Sequence, residues 1–278
     1  MTPREAAIIE FGQWLQSPAG AYVLAWEQAQ LDRCVSDIFG FHAVQLGLPQ
    51  IDALRANRMP HRWAAHDSLL VPAALDLPLP AEGISTQASD ARVALHCDFD
   101  ALPFPSQSID LMVLPHVLEL ARDPHETLRE VERVLVPEGR VVIAGFNPAS
   151  LWGLRQRAGH LRRNLRMSGR PLYLPAAGEF VGYWRLRDWL RLLSFEVEHA
   201  RFGCWRPPLR SQRWLDRYQW IEPIAERWWP VLGALYFLVA VKRVRGMRLV
   251  GLARRERLQP QAAPAVVAHS RREPAEVE

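Results

Sequence analysis

Hydrophobic positions along this chain fall alternately into short unbroken runs and helical stripes. Arg92–Cys97 (RVALHC) and Ile109–Leu114 (IDLMVL) are apolar runs closed by Asp98 and Pro115. Both are short enough to be buried strands. From Pro124 to Leu135, the residues Leu128, Val131, Val134 and Leu135 recur at helical spacing, with Glu126, Arg129, Glu130, Glu132 and Arg133 opposite. That pattern predicts an amphipathic helix packed on a sheet. Asp123-Pro124 suits its first turn, and Pro137-Glu138-Gly139 turns the chain into another apolar run, Val141–Ala144. Upstream, His42–Gly47 and His61–His66 read as two further strands. Between Thr2 and Phe41, Ile8, Phe11, Leu15, Tyr22, Val23, Trp26, Leu31 and Ile38 predict two helices separated near Ser17-Pro18. Strands alternating with helices imply a largely parallel α/β sheet covered on both faces.

The stretch His96–Asn147 also resembles a known family. Asp98 and Phe99 followed by DALPFP, then SIDLMVLPHVLE, then DPHETLREVERVLVPEGRVVI are similar to the second half of class I S-adenosylmethionine-dependent methyltransferases, in the subgroup of the quinone-biosynthesis enzymes. The resemblance implies a Rossmann-like, seven-stranded, mostly parallel sheet with helices on both faces, shortened here in its first half. It makes Leu186–Glu198 a late helix and sixth strand, and Val231–Val244 a buried seventh strand running antiparallel. Residues 1–41 become a helical cap and 42–251 the α/β domain, with 148–185 and 204–230 as basic and aromatic cover segments. Residues 252–278, rich in alanine, proline, arginine and glutamate, are expected to be a disordered tail.

The same resemblance places the site. The cofactor is S-adenosylmethionine, with Asp98 and Phe99 at its adenine and Leu114, Pro115 and His116 lining the methyl-donor pocket. Gln45 and Gly47, at the end of the first strand where the family has a glycine-rich turn, are further candidate cofactor-binding residues. Such a turn lets backbone approach a ligand and aim amides at it, yet here it reads GLPQID and only Gly47 matches. About 20 residues later, Asp67 holds by spacing alone the place of a ribose-binding acid. The solvated-loop reading of Asp67 stays open. Val71–Asp90, rich in proline and small residues, predicts a loop where the family has a helix.

Methyl transfer from a sulfonium requires chiefly that donor and acceptor be close and aligned. A base is needed only if the acceptor must lose a proton, and His116, at the tip of the fourth strand, is the candidate by position. Its alternative is a helix-start residue that merely packs. Glu119 and His125 are weaker candidates. Cys34, Cys97 and Cys204 lie far apart, in no zinc or redox spacing. The expectation is a reduced, cytoplasmic protein without a metal site or transmembrane segment.

A net charge of +4 and a pI near 9.3 would suit an anionic partner, but Lys242 is the only lysine, and so strong an arginine bias can arise from a GC-rich genome. Local clustering is more informative. Between Arg140 and Glu179 there is no acid, while Arg155, Arg157, Arg162, Arg163, Arg166 and Arg170 accumulate beside Trp152 and Tyr173. These residues form either a solvated helix face or a contact for an anionic acceptor, lipid surface or RNA. Three readings therefore stand: a methyltransferase for a small or lipid-like acceptor, a pseudo-methyltransferase scaffold that lost the glycine turn, and a peripheral membrane or RNA-binding protein.

Overall fold

A computed structural model describes residues 3–48, 50–66, 94–165, 172–175 and 180–243. Asp67, the Val71–Asp90 stretch, Arg166, Arg170 and the expected tail lie outside the described residues. Two helices come first, α1 (Pro3–Leu15) and α2 (Pro18–Val35). Ser17 caps α2, its hydroxyl accepting the Gly20 amide at 3.2 Å, with Pro18 in the first turn where no amide is missed.

The sheet is built from β1 (His42–Leu46), β2 (His61–His66), β3 (Ala94–His96), β4 (Ile109–Pro115), β5 (Leu135–Phe146), β6 (Phe195–Gly203) and β7 (Leu235–Lys242). Their spatial order is β3-β2-β1-β4-β5-β7-β6. The pairs from β3 through β5 are parallel, and β7 runs antiparallel to both β5 and β6. The strands are Rossmann-like in arrangement, and the first half is short. Residues 50–60 pass from β1 toward β2 as turns, without a helix.

Alternating strand residues serve two apolar layers. Leu111, Val113, Val142, Ala144, Phe237 and Val239 share one layer with Phe11 and Leu15 of α1 and Val23 and Leu31 of α2. Met112, Leu114, Val141, Ile143, Leu238 and Ala240 share the other with two helices, α4 (Pro124–Val134) and α6 (Tyr183–Leu192), through Leu128, Val131, Leu186 and Leu190. Burial on both faces is why these strands read as continuous apolar runs rather than alternating ones.

Two details differ from the sequence expectation. Pro137–Gly139 is not a turn before a strand but an irregularity inside β5. Pairing jumps from Ile109↔Leu135 to Leu111↔Arg140, with Glu138 at φ 64°. A bulge absorbs the extra residues without ending the ladder. The seventh strand begins only at Leu235, because Pro230–Leu232 form a short 3-10 turn. Lys242, the lone lysine, is 4% exposed. Its ammonium donates to the Leu135 carbonyl at 3.0 Å and pairs with Glu132 at 2.9 Å, satisfying a carbonyl that the end of α4 leaves over.

Candidate functional site

The strand tips are laid side by side, β3, β2, β1 and β4, and each contributes a residue. At β1, Gly47 adopts φ +96°, and a Cβ there would lie 2.7 Å from Val117 Cγ2 and 3.2 Å from the Pro115 carbonyl. Only glycine fits so close to the tip of β4. The Gly47 amide donates to Ala65 O at 3.0 Å, and its carbonyl lies 2.7 Å from His66 Nδ1, which fastens β1 to β2. The Cys97 amide in turn donates to His66 O at 2.9 Å, so Asp98 follows directly at the tip of β3.

Asp98 is exposed. The loop that carries it is tied to α4, where the Thr127 hydroxyl donates to Asp100 at 2.7 Å and Glu130 accepts the Leu102 amide at 3.1 Å. Phe99, 2% exposed, and Leu114 belong to the second apolar layer, and Pro115 is buried. Gly47, Asp98 and Pro115 therefore share one end of the sheet, while Phe99 and Leu114 are core.

Gln45 has a different task. Its amide nitrogen donates to Leu48 O at 3.0 Å and Ile51 O at 2.6 Å, and its oxygen accepts the Ala53 amide at 2.8 Å. The side chain thus staples the turn after β1 from within. Leu48, Ile51 and Leu54 are buried in the α1–α2 layer. The family's open glycine turn is here a closed apolar knot.

His116 caps α3 (Val117–Leu120) in left-handed backbone, φ 55°, a region that a non-glycine residue adopts only when its surroundings hold it there. Its ring is fully buried. Nδ1 lies 2.7 Å from Glu119 Oε2, and Nε2 lies 2.7 Å from Glu27 Oε1 on α2. The second contact is a charge pair whose alignment falls outside hydrogen-bonding range, since neither Glu27 oxygen has a hydrogen-bond partner among the described residues. Glu119 Oε1 also accepts the Phe146 amide. The rings of Phe11 and Phe146 close the sides at 4.9 and 4.7 Å.

Burial alone would push the His116 pKa down, but the carboxylates of Glu27 and Glu119 outweigh it and raise it to about 10. The imidazole is therefore a cation near neutral pH, with both nitrogens turned to acids. It offers no lone pair to a substrate proton, so a general-base role does not suit this geometry. The arrangement is an ion cluster locking α2 to the tip of β4 under α1.

Glu27 escaped the sequence reading although a signal was present. It lies one turn after Val23 and one before Leu31, an acid within the buried stripe of α2. His66 likewise carried no motif. His125, half-buried, stands edge-on to Trp189 at 5.6 Å on the far layer.

Known proteins agree with this architecture. A sequence family described as a methyltransferase domain matches residues 70–143. Over that stretch the chain is similar to the methyltransferase domain. It is 35% identical over 161 residues to the uncharacterized protein YafS of Escherichia coli, a match covering 58% of this chain and 59% of that one. It is 43% identical over 58 residues to a malonyl-[acyl-carrier protein] O-methyltransferase of Halorhodospira halophila, covering 21% and 20%. The matches thus span less than two thirds of these relatives' lengths. Among solved structures, a chain from the complex of the Haloferax volcanii Trm112 methyltransferase activator with its methyltransferase superposes with TM-score 0.53 at 19% identity, covering 85% of this chain and 97% of that one. An S-adenosylmethionine-dependent methyltransferase from Mesorhizobium loti gives 0.50 at 17%, covering 77% and 96%. Identities this low speak for the fold, and this methyltransferase fold places its strand tips as described above.

Proposed function

We propose that this chain is an S-adenosylmethionine-dependent methyltransferase that acts on a small or lipid-like acceptor, with the cofactor seated over the tips of β1 to β4. The observation that carries the reading is the position of Asp98, an exposed carboxylate at the tip of β3 in the same row as Gly47 and Pro115. A carboxylate there can accept from the adenine amino group, and Gly47 admits close approach. Pro115, buried at the tip of β4, would lie beneath the cofactor, with Leu114 packed in the core below. Asp67 is the proposed ribose ligand on spacing alone. Bound S-adenosylmethionine supplies an electrophilic methyl group, and the chain's task is then to align an acceptor and exclude water.

His116 acts in this reading as a positioning residue. Its ion cluster holds α1 and α2 over the sheet, which fixes the wall against which an acceptor would lie. The relatives suggest the acceptor class. One is named for malonyl-[acyl-carrier protein] and another, from Chlamydia pneumoniae, for demethylmenaquinone, a carrier-bound thioester and a lipid quinone. A cytoplasmic location suits either acceptor.

A second reading has a specific observation in its favour. The closed turn stapled by Gln45 places apolar side chains where a glycine turn would cradle the cofactor, which suits a pseudo-methyltransferase that keeps the fold as a scaffold. Calorimetric titration of the purified chain with S-adenosylmethionine and S-adenosylhomocysteine decides between them. Micromolar binding, about −8 kcal/mol, is expected for the enzyme. Absence of heat and of any thermal shift at concentrations that would reveal millimolar affinity would leave the scaffold.

A further inference from the structure

The helix after β5, α5 (Leu151–Asn164), presents an apolar stripe to solvent rather than to the protein. Its buried residues are Trp152, Gly153 and Gln156. Trp152 is anchored by its indole nitrogen donating to Arg206 O at 2.7 Å, and Gln156 by donating to Leu174 O at 3.1 Å. At 100° per residue, Leu151, Leu154, Ala158, Leu161 and the C-cap Leu165 fall within one narrow line opposite that anchored face. The four leucines are 55%, 61%, 61% and 59% exposed. Spacings of three and four residues build an amphipathic face, and this one is turned outward.

The charges flank the line. Arg162 lies to one side of the leucines and Arg157 to the other, both exposed, with Arg163 at the end of the helix. No acid occurs from residue 141 to 178. A second apolar patch adjoins the start of α5. Asn147, four residues before Leu151, donates through its side chain to the carbonyls of Val231 at 2.7 Å and Gly233 at 2.9 Å. Beside that turn, Trp228, Trp229 and Leu232 are 70%, 58% and 47% exposed.

We infer that α5, with the Trp228–Leu232 turn, is a docking surface for an anionic lipid bilayer, lying in the interfacial plane with its leucines in the acyl boundary and its arginines among the headgroup phosphates. Leucines bordered on both sides by arginines match the chemistry of that interface, and tryptophan is the residue that most favours the headgroup level. RNA would engage the arginines and stack on aromatics but has no use for an aliphatic line. Among the described residues no helix is long and apolar enough to cross a membrane, so the contact would be peripheral. This inference does not depend on whether a cofactor binds.

Flotation of the full chain with phosphatidylcholine vesicles, with and without phosphatidylglycerol, at low and high sodium chloride tests it. The chain should float with the anionic vesicles only, and less as salt rises. Leu154→Ser with Leu161→Ser should weaken partitioning about tenfold or more. Arg157→Gln with Arg162→Gln should weaken it about 25-fold and flatten the salt dependence. These side chains are exposed, so both variants should keep the wild-type circular dichroism and melting temperature. Three results would overturn the inference: no flotation of the wild type, flotation equal for wild type and the leucine variant, or retention by RNA but not by vesicles. A wild-type dimer that dissociates in the leucine variant, with no vesicle binding, would assign the stripe to a second copy instead.

Discussion

Nε2 of His116, at the tip of β4, lies 2.7 Å from Oε1 of Glu27, in the middle of α2, with both side chains fully buried. The contact joins residues distant in sequence across the boundary between the helical cover and the sheet. Because Glu119 holds the other ring nitrogen, two buried acids share one imidazole. The two acids are not equivalent. Glu119 also satisfies the Phe146 amide, whereas Glu27 has no hydrogen bond among the described residues.

Glu119→Gln should consequently cost more than Glu27→Gln. Removing Glu119 leaves His116 facing an amide and weakens the acceptor for a buried backbone N–H, a loss of about 3–5 kcal/mol in the range for a broken buried pair. Replacing Glu27 keeps both the Glu119 contact to His116 and the Phe146 amide bond, so its loss should be clearly the smaller of the two. Urea unfolding of the two variants checks the order. Equal losses would mean that the charge on α2, rather than the bonding at the strand tip, holds the cluster.

The same cluster sets a pH dependence. His116 has a folded pKa of about 10 against roughly 6.5 for an unfolded histidine. The raised value means that the stabilisation is fully present below the unfolded pKa and is lost as pH rises through the folded one. Between about pH 6.5 and 10 the folded chain retains a proton that the unfolded chain releases, and stability falls by up to about 1.4 kcal/mol per pH unit. His116→Asn tolerates the left-handed backbone and lacks this proton. Unfolding free energies from pH 7 to 10 should therefore decline more steeply in wild type than in the variant, whatever other groups titrate.

The contrast between what was legible in the sequence and what was not has a physical basis. IDLMVL and VVIA are buried on both faces, so their unbroken hydrophobicity marked β4 and β5 directly, and Leu128, Val131 and Val134 marked α4 by period. That Gly47 and Asp98 stand at strand ends was legible from the apolar runs they close. The role of Gln45 was not, because its bonds go to backbone atoms of Leu48, Ile51 and Ala53, which have no side-chain signature. The environment of His116 depends on Glu27, and a pairing across 89 positions leaves no local trace. The outward leucines of α5 followed the periodicity of any core helix. Only the anchoring of Trp152 and Gln156 shows which face is buried.

Gly47→Ala should be costly even though alanine adds one methyl group. The added Cβ would approach Val117 Cγ2 to 2.7 Å and the Pro115 carbonyl to 3.2 Å, at a φ of +96° that L-residues rarely adopt. Backbone strain and close contact together should lower stability by about 1–3 kcal/mol. Because the shift falls where β1 meets β4, cofactor affinity should drop as well. A variant with wild-type stability would show that the turn relaxes freely, contrary to the fixed packing described above.

Asp98→Ala separates binding from folding. The residue is exposed at the tip of β3, and its loop is held independently by Asp100 with Thr127 and by Leu102 with Glu130. Thermal stability should fall by less than in Gln45→Ala, because Asp98 is exposed whereas Gln45 is buried. If the carboxylate accepts from the adenine amino group, its removal deletes one hydrogen bond to the ligand, about 1.4 kcal/mol, and affinity for S-adenosylhomocysteine should fall about tenfold. Gln45→Ala should behave differently. It leaves the Ala53 amide and two carbonyls without their buried partner and opens the turn, so stability and affinity should fall together. Titration and melting of the two variants in parallel give the test. A loss of affinity that exceeds the loss of stability at Asp98, and a comparable loss of both at Gln45, is the pattern expected of a cofactor contact beside a structural staple. Unchanged affinity in Asp98→Ala would remove Asp98 from the site and, with it, the main support for an adenine pocket at β3.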